Sequence, residues 1–489
     1  MDANSPKAAQ AIFFCGPAQA RQSLCKGNLL RTAVLDCAQL VIVLALGFFM
    51  HPEASAQEAG AEGSGMPGTG IPEQLPPVPG GPPIKYDWAH NITGDWGGLR
   101  NQLSEWGVDI RGGYAMEFMA NPVGGVRQGQ TYVHNILLQG DFDLEKLLNV
   151  PNTVFRILGS QRSGESLSKN DIGNAISVQQ LYGGGQTYRL VEAQFITSLY
   201  EDRLNLAYGR LSATDDFLTS PLYCNFVNNG FCGQPSSPFF NLPNGITAYP
   251  TAVWGGRAKA KLIPETYVMV GVYDGDVEQN GKNEHGVNFT LGDNGALVLT
   301  EVAWTPQEGL FDLPGHYKVG GYYHSGRFRE VSNDVNGNNQ YVSGLQGQKF
   351  TGNGGYYFLF DNMLYREKPG ADQGLSAFWV LVVSPGQEEN TMPYYMSGGL
   401  VYQGLIGARP QDKTAFGVTN AWFSDNISDA RHEAGLERQT TETALELNYN
   451  VQITPAIYFR PDLQYIINPN GQNDIDNAFV VGFEAGLTF

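Results

Sequence analysis

FVVGFEAGLTF, residues 479–489, alternates apolar residues with small or polar ones up to its last position. Phe479, Val481, Phe483, Ala485, Leu487 and Phe489 share one face. Val480, Gly482, Glu484, Gly486 and Thr488 share the other. A period of two places successive side chains on opposite faces of a strand. Strands of about ten residues that alternate in this way, separated by turns, are the signature of a transmembrane β-barrel. Lipid cannot satisfy an open sheet edge, so such strands must close on themselves.

The same period runs back through the chain. In Val108 to Phe118, Val108, Ile110, Gly112, Tyr114, Met116 and Phe118 alternate with Asp109, Arg111, Gly113, Ala115 and Glu117. In Glu442 to Ile453, Thr443, Leu445, Leu447, Tyr449, Val451 and Ile453 alternate with Glu442, Ala444, Glu446, Asn448, Asn450 and Gln452. Arg460, Asp462 and Gln464 lie opposite Phe459, Leu463 and Tyr465. Two stretches are less tidy: SAFWVLVV at 376–383 is apolar on both faces, and Leu204 to Leu211 shows no preferred face. Asn-Gly pairs at 229, 244, 280, 336 and 470 mark turns, because these residues tolerate positive φ. At about 20 to 27 residues per strand and loop, the span from Val108 to Phe489 holds roughly 14 to 18 strands, an even number. The expected fold is all-β, an antiparallel transmembrane barrel.

Composition agrees. Charged residues are 16% of the chain, against about 25% in soluble domains. Residues 1–56 read as a signal peptide. Lys7, Arg21, Lys26 and Arg31 lead into the apolar run Leu40 to Met50, and Ala54-Ser55-Ala56 supplies small residues for cleavage. That run is shorter than the roughly 20 residues a spanning helix needs. The leader carries a net +1 out of −18 for the whole chain, which leaves −19 for the remainder. A chain so acidic is not a general nucleic-acid binder, which needs clustered Lys/Arg for phosphates. Residues 57–91 form a Pro/Gly-rich linker, and 92–489 the barrel. Within it, TGDWGGLRNQLSEWG at 93–107 predicts a short helix, with Trp96, Leu99, Leu103 and Trp106 on one stripe. Thr93 or Asp95 is its expected cap and Gly107 its stop.

Of five cysteines, Cys15, Cys25 and Cys37 leave with the leader. Cys224 and Cys232 remain, and a pair this close in an oxidising compartment is expected to form a disulfide. No catalytic motif, metal-ligand cluster or cofactor fingerprint emerges, and His134, His285, His316, His324 and His432 are scattered. Asp215-Asp216 reads as structural or as part of a pore mouth.

The chemistry lies in the polar faces. Arg111, Glu117, Asp141, Glu192, Gln194, Arg210 and Arg257 are the candidate pore-lining residues, since polar faces of barrel strands point into water. Both signs of charge, with amides and aromatics, suit a polar uncharged solute such as a sugar, although any wet lumen needs polar residues. A general diffusion or ion-selective pore, a barrel enzyme, and a secreted carbohydrate-binding β-protein are the competing readings. Phe489 at the end of the last strand resembles the signal that bacterial outer-membrane proteins present to the barrel-assembly machinery.

Six stretches carry a family resemblance: ITGDWGGLRNQLSEWGVDI (92–110), QRSGESLS (161–168), YGRLSATDDFLTSPLYCNFVNNGFCG (208–233), LPGHYKVGGYYHSG (313–326), SGGLVYQGLIGARPQDKTAFGV (397–418) and PDLQYIINPNG (461–471). The chain resembles the OprB family of carbohydrate-selective porins. The resemblance implies 16 strands, a short N-terminal helix, and passive diffusion of monosaccharides such as glucose, with some oligosaccharides or polyols. It also implies the outer membrane of a Gram-negative bacterium. A monomer and a trimer both remain open.

Overall fold

The computed structural model describes residues 79–233, 235–277 and 285–489. The leader, the linker up to residue 78 and the Asn280-Gly281 turn lie outside them. The first eight strands are β1 (Val108–Val123), β2 (Gly129–Asp143), β3 (Thr153–Gly164), β4 (Tyr188–Leu199), β5 (Leu204–Leu211), β6 (Val253–Ile263), β7 (Thr266–Asp274) and β8 (Ala296–Trp304). The second eight are β9 (Gly315–Asp334), β10 (Gly347–Arg366), β11 (Gly374–Val383), β12 (Tyr394–Gln403), β13 (Lys413–Trp422), β14 (Thr441–Thr454), β15 (Ile457–Ile467) and β16 (Ala478–Thr488). Each pairs antiparallel with its sequence neighbours, and β1 pairs with β16 to close the barrel.

The seam is continuous: Tyr114 stands opposite Leu487, Phe118 opposite Phe483, and Glu117 opposite Glu484. Along β16, Phe479 and Val481 are exposed while Val480 and Glu484 are buried, which is the alternation read from the sequence. β1 begins and β16 ends at the same rim, which in a bacterial barrel is periplasmic. The 165–187 and 212–252 connections leave the opposite, extracellular rim. β9 and β10 are 20 residues each. About 9–11 residues cross a bilayer, so both rise well above it.

The N-terminal helix is shorter than expected. α1 spans Leu99–Glu105, and Gly98 rather than Thr93 or Asp95 caps it. The preceding residues cannot extend it, because Gly94, Trp96, Gly97 and Gly98 all have positive φ. Gly107, at φ 93°, does stop it. Its apolar stripe is the outer one: Trp96, Leu99 and Trp106 are exposed, whereas Arg100 and Ser104 are buried.

The reason is a clasp under the seam. The Arg100 guanidinium donates to the carbonyl of Ile110 at 2.6 and 3.0 Å and to Phe489 at 3.2 Å. It lies 3.8 Å from the centre of the Tyr86 ring, and Tyr86 in turn donates to Asp109 at 3.0 Å. The amide of Ile92 donates to Thr488, and the Thr488 hydroxyl donates to the His90 carbonyl. Within residues 80–91, placed in the linker by composition, the amide of Gly80 donates to Asp143 at the end of β2, and those of Ile84 and Tyr86 donate to Ser104 and Asn101 of α1. Hydrogen bonds to a charged group contribute about 1.5–3 kcal/mol each. Arg100→Met is therefore expected to lower the temperature at which the folded barrel converts to the slower-migrating unfolded band in detergent electrophoresis. An unchanged conversion temperature would mean that the clasp does not hold the seam.

Candidate functional site: a lumen narrowed by two loops

The inward faces are not simply open to water. The 212–252 loop folds into the barrel and packs an apolar body against the wall. Phe217, Leu218, Tyr223, Phe226, Phe231, Leu242 and Ile246 form one buried cluster with inward residues of β7 to β12, such as Met269, Leu299, Tyr357, Phe378, Val380 and Tyr395. Phe378 meets Phe226, Phe231 and Tyr223 edge-on. This explains SAFWVLVV: Phe378, Val380 and Val382 face the loop while the alternate residues face lipid. Each fully buried side chain of this size contributes about 1.5–3 kcal/mol.

Glu301, Lys318 and Asp361 on this same wall bond to the loop at Leu218, Thr219 and Ser220, and two further groups of charged residues lie on the remaining wall. In the first, β2 places Asp141 in register with Asp109 on one side and Arg156 on the other, and Arg156 with Gln194 beyond. Asp141 accepts from Arg111, from Arg156 at 2.7 Å and from Gln139 at 2.7 Å. Gln194 donates to Glu192 at 2.8 Å. Arg257 pairs with Asp216 at 2.9 Å, so the Asp215-Asp216 pair enters this group from the loop. Burial, and then the Glu192 carboxylate, push the Asp215 carboxyl well above the usual range.

In the second group Glu117 and Glu484 face each other across the seam, both fully buried. Glu484 accepts from Tyr458 at 2.8 Å, Arg460 at 3.1 Å and Gln180 at 2.8 Å. Glu117 accepts the Leu181 amide at 3.2 Å. Gln180 and Leu181 belong to the 165–187 loop, so this group also anchors a loop.

Above both lies a cavity of about 900 Å³ on the extracellular side. Its lining includes Arg162 at the end of β3, Gln180, Tyr182, Phe239, Asn244 and Tyr249. The Arg162 guanidinium sits 4.8 Å from the centre of the Tyr249 ring, and the Tyr249 hydroxyl donates to Asn135 at 2.9 Å. Aromatic faces, amides and a cation therefore converge on one space.

The structure brings Arg111, Asp141, Glu192, Gln194 and Arg257 into the first group and puts Glu117 in the second. Arg210 pairs in register with Ala193 and Trp254 and donates to the backbone carbonyls of Leu190 and Val191 at 3.3 and 3.1 Å. A register shift of β4 against β3, between Glu192 and Leu190, lies beside these carbonyls. Arg156, Arg162 and Tyr249 are additions. Arg156 and Arg162 stood at alternate positions of β3 and were open to the period-two rule. Tyr249, in a loop, gave no periodic signal. Cys224 and Cys232 are joined, with Cα atoms 4.5 Å apart.

A closed transmembrane barrel with a narrowed, charged lumen and an aromatic vestibule is an outer-membrane pore. The family model described as "Carbohydrate-selective porin, OprB family" matches residues 127–489. Porin B of Pseudomonas aeruginosa is 33% identical over 426 residues, covering 81% of this chain and 91% of that one. "Putative porin QuiX" of Acinetobacter baylyi is 28% identical, over 81% and 93%. The high-pH structure of Pseudomonas putida OprB superposes with a TM-score of 0.77 at 29% identity, over 83% of this chain and 99% of that one. The chain belongs to the OprB family of carbohydrate-selective porins. It is a channel of the Gram-negative outer membrane through which carbohydrates pass.

The first charged group makes a prediction. Asp141→Asn leaves Arg111 and Arg156 without their shared carboxylate. In a salt gradient across a planar bilayer, the zero-current potential should move toward the anion value. Glu192→Gln should shift it the same way. Unaltered potentials in both variants would place this group outside the ion path.

Proposed function

We propose that monosaccharides such as glucose enter through the 900 Å³ vestibule and pass the ring formed by Arg111, Asp141, Arg156, Glu192, Gln194 and Arg257. The observation that carries this reading is the convergence of Tyr249, Arg162 and the loop amides above paired charges. A sugar ring presents C–H faces to an aromatic surface, and its hydroxyls both donate and accept. Paired charges offer donors and acceptors together without a strong net field, which favours a neutral polar solute over an ion of either sign. Oligosaccharides and polyols share that chemistry. Residues 1–56 serve as the export leader, residues 57–91 as a linker to the barrel of 92–489, and Phe489 as the contact for the assembly machinery.

Glucose is expected to lower single-channel ion conductance in a saturable way, because a sugar in the ring displaces ions. Tyr249→Ala should weaken that block while the open conductance stays near its starting value. A conductance that responds to glucose only as it responds to any viscous neutral solute would favour a general diffusion pore.

A further inference from the structure

The ring closed by Cys224 and Cys232 has its own binding surface. Within it, the amides of Val227 and Asn228 donate to the two oxygens of Glu446 at 2.7 and 2.8 Å. Asn228 Nδ2 donates to Gln464 at 2.8 Å, and Asn448 Nδ2 donates to the Asn225 carbonyl at 2.9 Å. The Tyr395 hydroxyl donates to the Gly230 carbonyl. All four wall partners lie on β12, β14 and β15, whereas the loop that carries the ring leaves from β5 and returns to β6. Around the barrel β14 stands seven strands from β5 one way and nine the other. The ring has crossed the lumen to dock on the far wall.

The wall is cut to receive it. Gly399 and Gly417 face each other on β12 and β13. A Cβ at Gly417 would come within 2.7 Å of Phe226 and 2.8 Å of Phe231, and one at Gly399 within 2.8 Å of Phe226. A side chain at either position would force these rings to shift. The second loop depends on the same ring: Gln180 donates its amide to the Val227 carbonyl, and Asn229 donates to Ser177, both at 2.9 Å. Four residues before Glu446, on the same face of β14, Glu442 accepts the amides of Ala175 and Ile176 at 2.7 and 2.9 Å.

We propose that the Cys224–Cys232 ring is a latch and Glu446 its keeper, and that together they set the aperture of the pore. Glu446 is a positioning residue that acts through the loops, not on the solute. A carboxylate that takes two successive amides makes charge-assisted bonds about twice as strong as neutral ones. The disulfide limits the conformations an undocked ring could adopt, so docking costs less entropy. Releasing the latch frees both loops from β14 and β15 and widens the lumen. This inference rests on the reading that the two loops bound the permeation path.

The test uses the full-length protein in planar bilayers. Glu446→Gln should raise single-channel conductance severalfold and admit a larger saccharide that wild type excludes. Loss of one negative charge alone would instead lower cation current, so the direction separates the two causes. Reduction of wild-type channels already inserted adds no charge and needs no refolding. A membrane-impermeant phosphine should produce the same rise, and removing the reductant under oxidising conditions should reverse it. Glu446→Asp should restore part of the narrow state. Heat conversion of the barrel in detergent should stay unchanged, which separates the latch from general stability. Conductance unchanged in both Glu446→Gln and the reduced channel would overturn the proposal. Since ion conductance reads the latch, it stands or falls independently of whether glucose itself permeates.

Discussion

Every part of this protein depends on the pairing of β1 with β16. In hydrocarbon an unpaired backbone amide has no partner, and only a closed sheet leaves none exposed to lipid. Closure here ends in a reciprocal bond: the Gly112 amide donates to Phe489 and the Phe489 amide donates to Gly112. Arg100 then adds a buried cation at the same rim. A closed wall is rigid enough to serve as a mould, and the two long loops can fold inward only because it is.

That mould is used unevenly. Along β7 to β12 the inward positions are largely apolar and are covered by the 212–252 loop, which gives the barrel a hydrophobic core inside its own lumen. Along β1 to β4 and β14 to β16 they are polar and charged, and the open volume lies beside β3 and the two loops. The wall carboxylates divide into two tasks. Asp141 and Glu192 stay with the arginines and amides of the ring. Glu117, Glu442 and Glu446 accept loop amides and so act as anchors. A charge count from sequence cannot separate these tasks, because both need the same residue types at the same inward positions.

The sheet was legible in the sequence and the lumen was not. Phe479 to Phe489, Glu442 to Ile453 and Val108 to Phe118 displayed period two because lipid lies on one side and the interior on the other. SAFWVLVV hid its period because the loop supplies a second apolar environment. The sequence put Trp96, Leu99, Leu103 and Trp106 on one stripe of the predicted helix, while the contact with the seam is made by Arg100. In each case the deciding contact comes from far along the chain, where local patterning carries no information. Tyr249 meets Arg162 and Asn135 in this way, as does Glu446 with Val227.

The claim that this narrowed lumen selects for sugar is tested most directly by liposome swelling. Proteoliposomes would be challenged in turn with glucose, a zwitterionic amino acid of similar size, and a series of longer saccharides. Faster entry of glucose than of the amino acid, falling off along the saccharide series, is the predicted result. Rates that follow molecular size alone, whatever the chemistry of the solute, would contradict it.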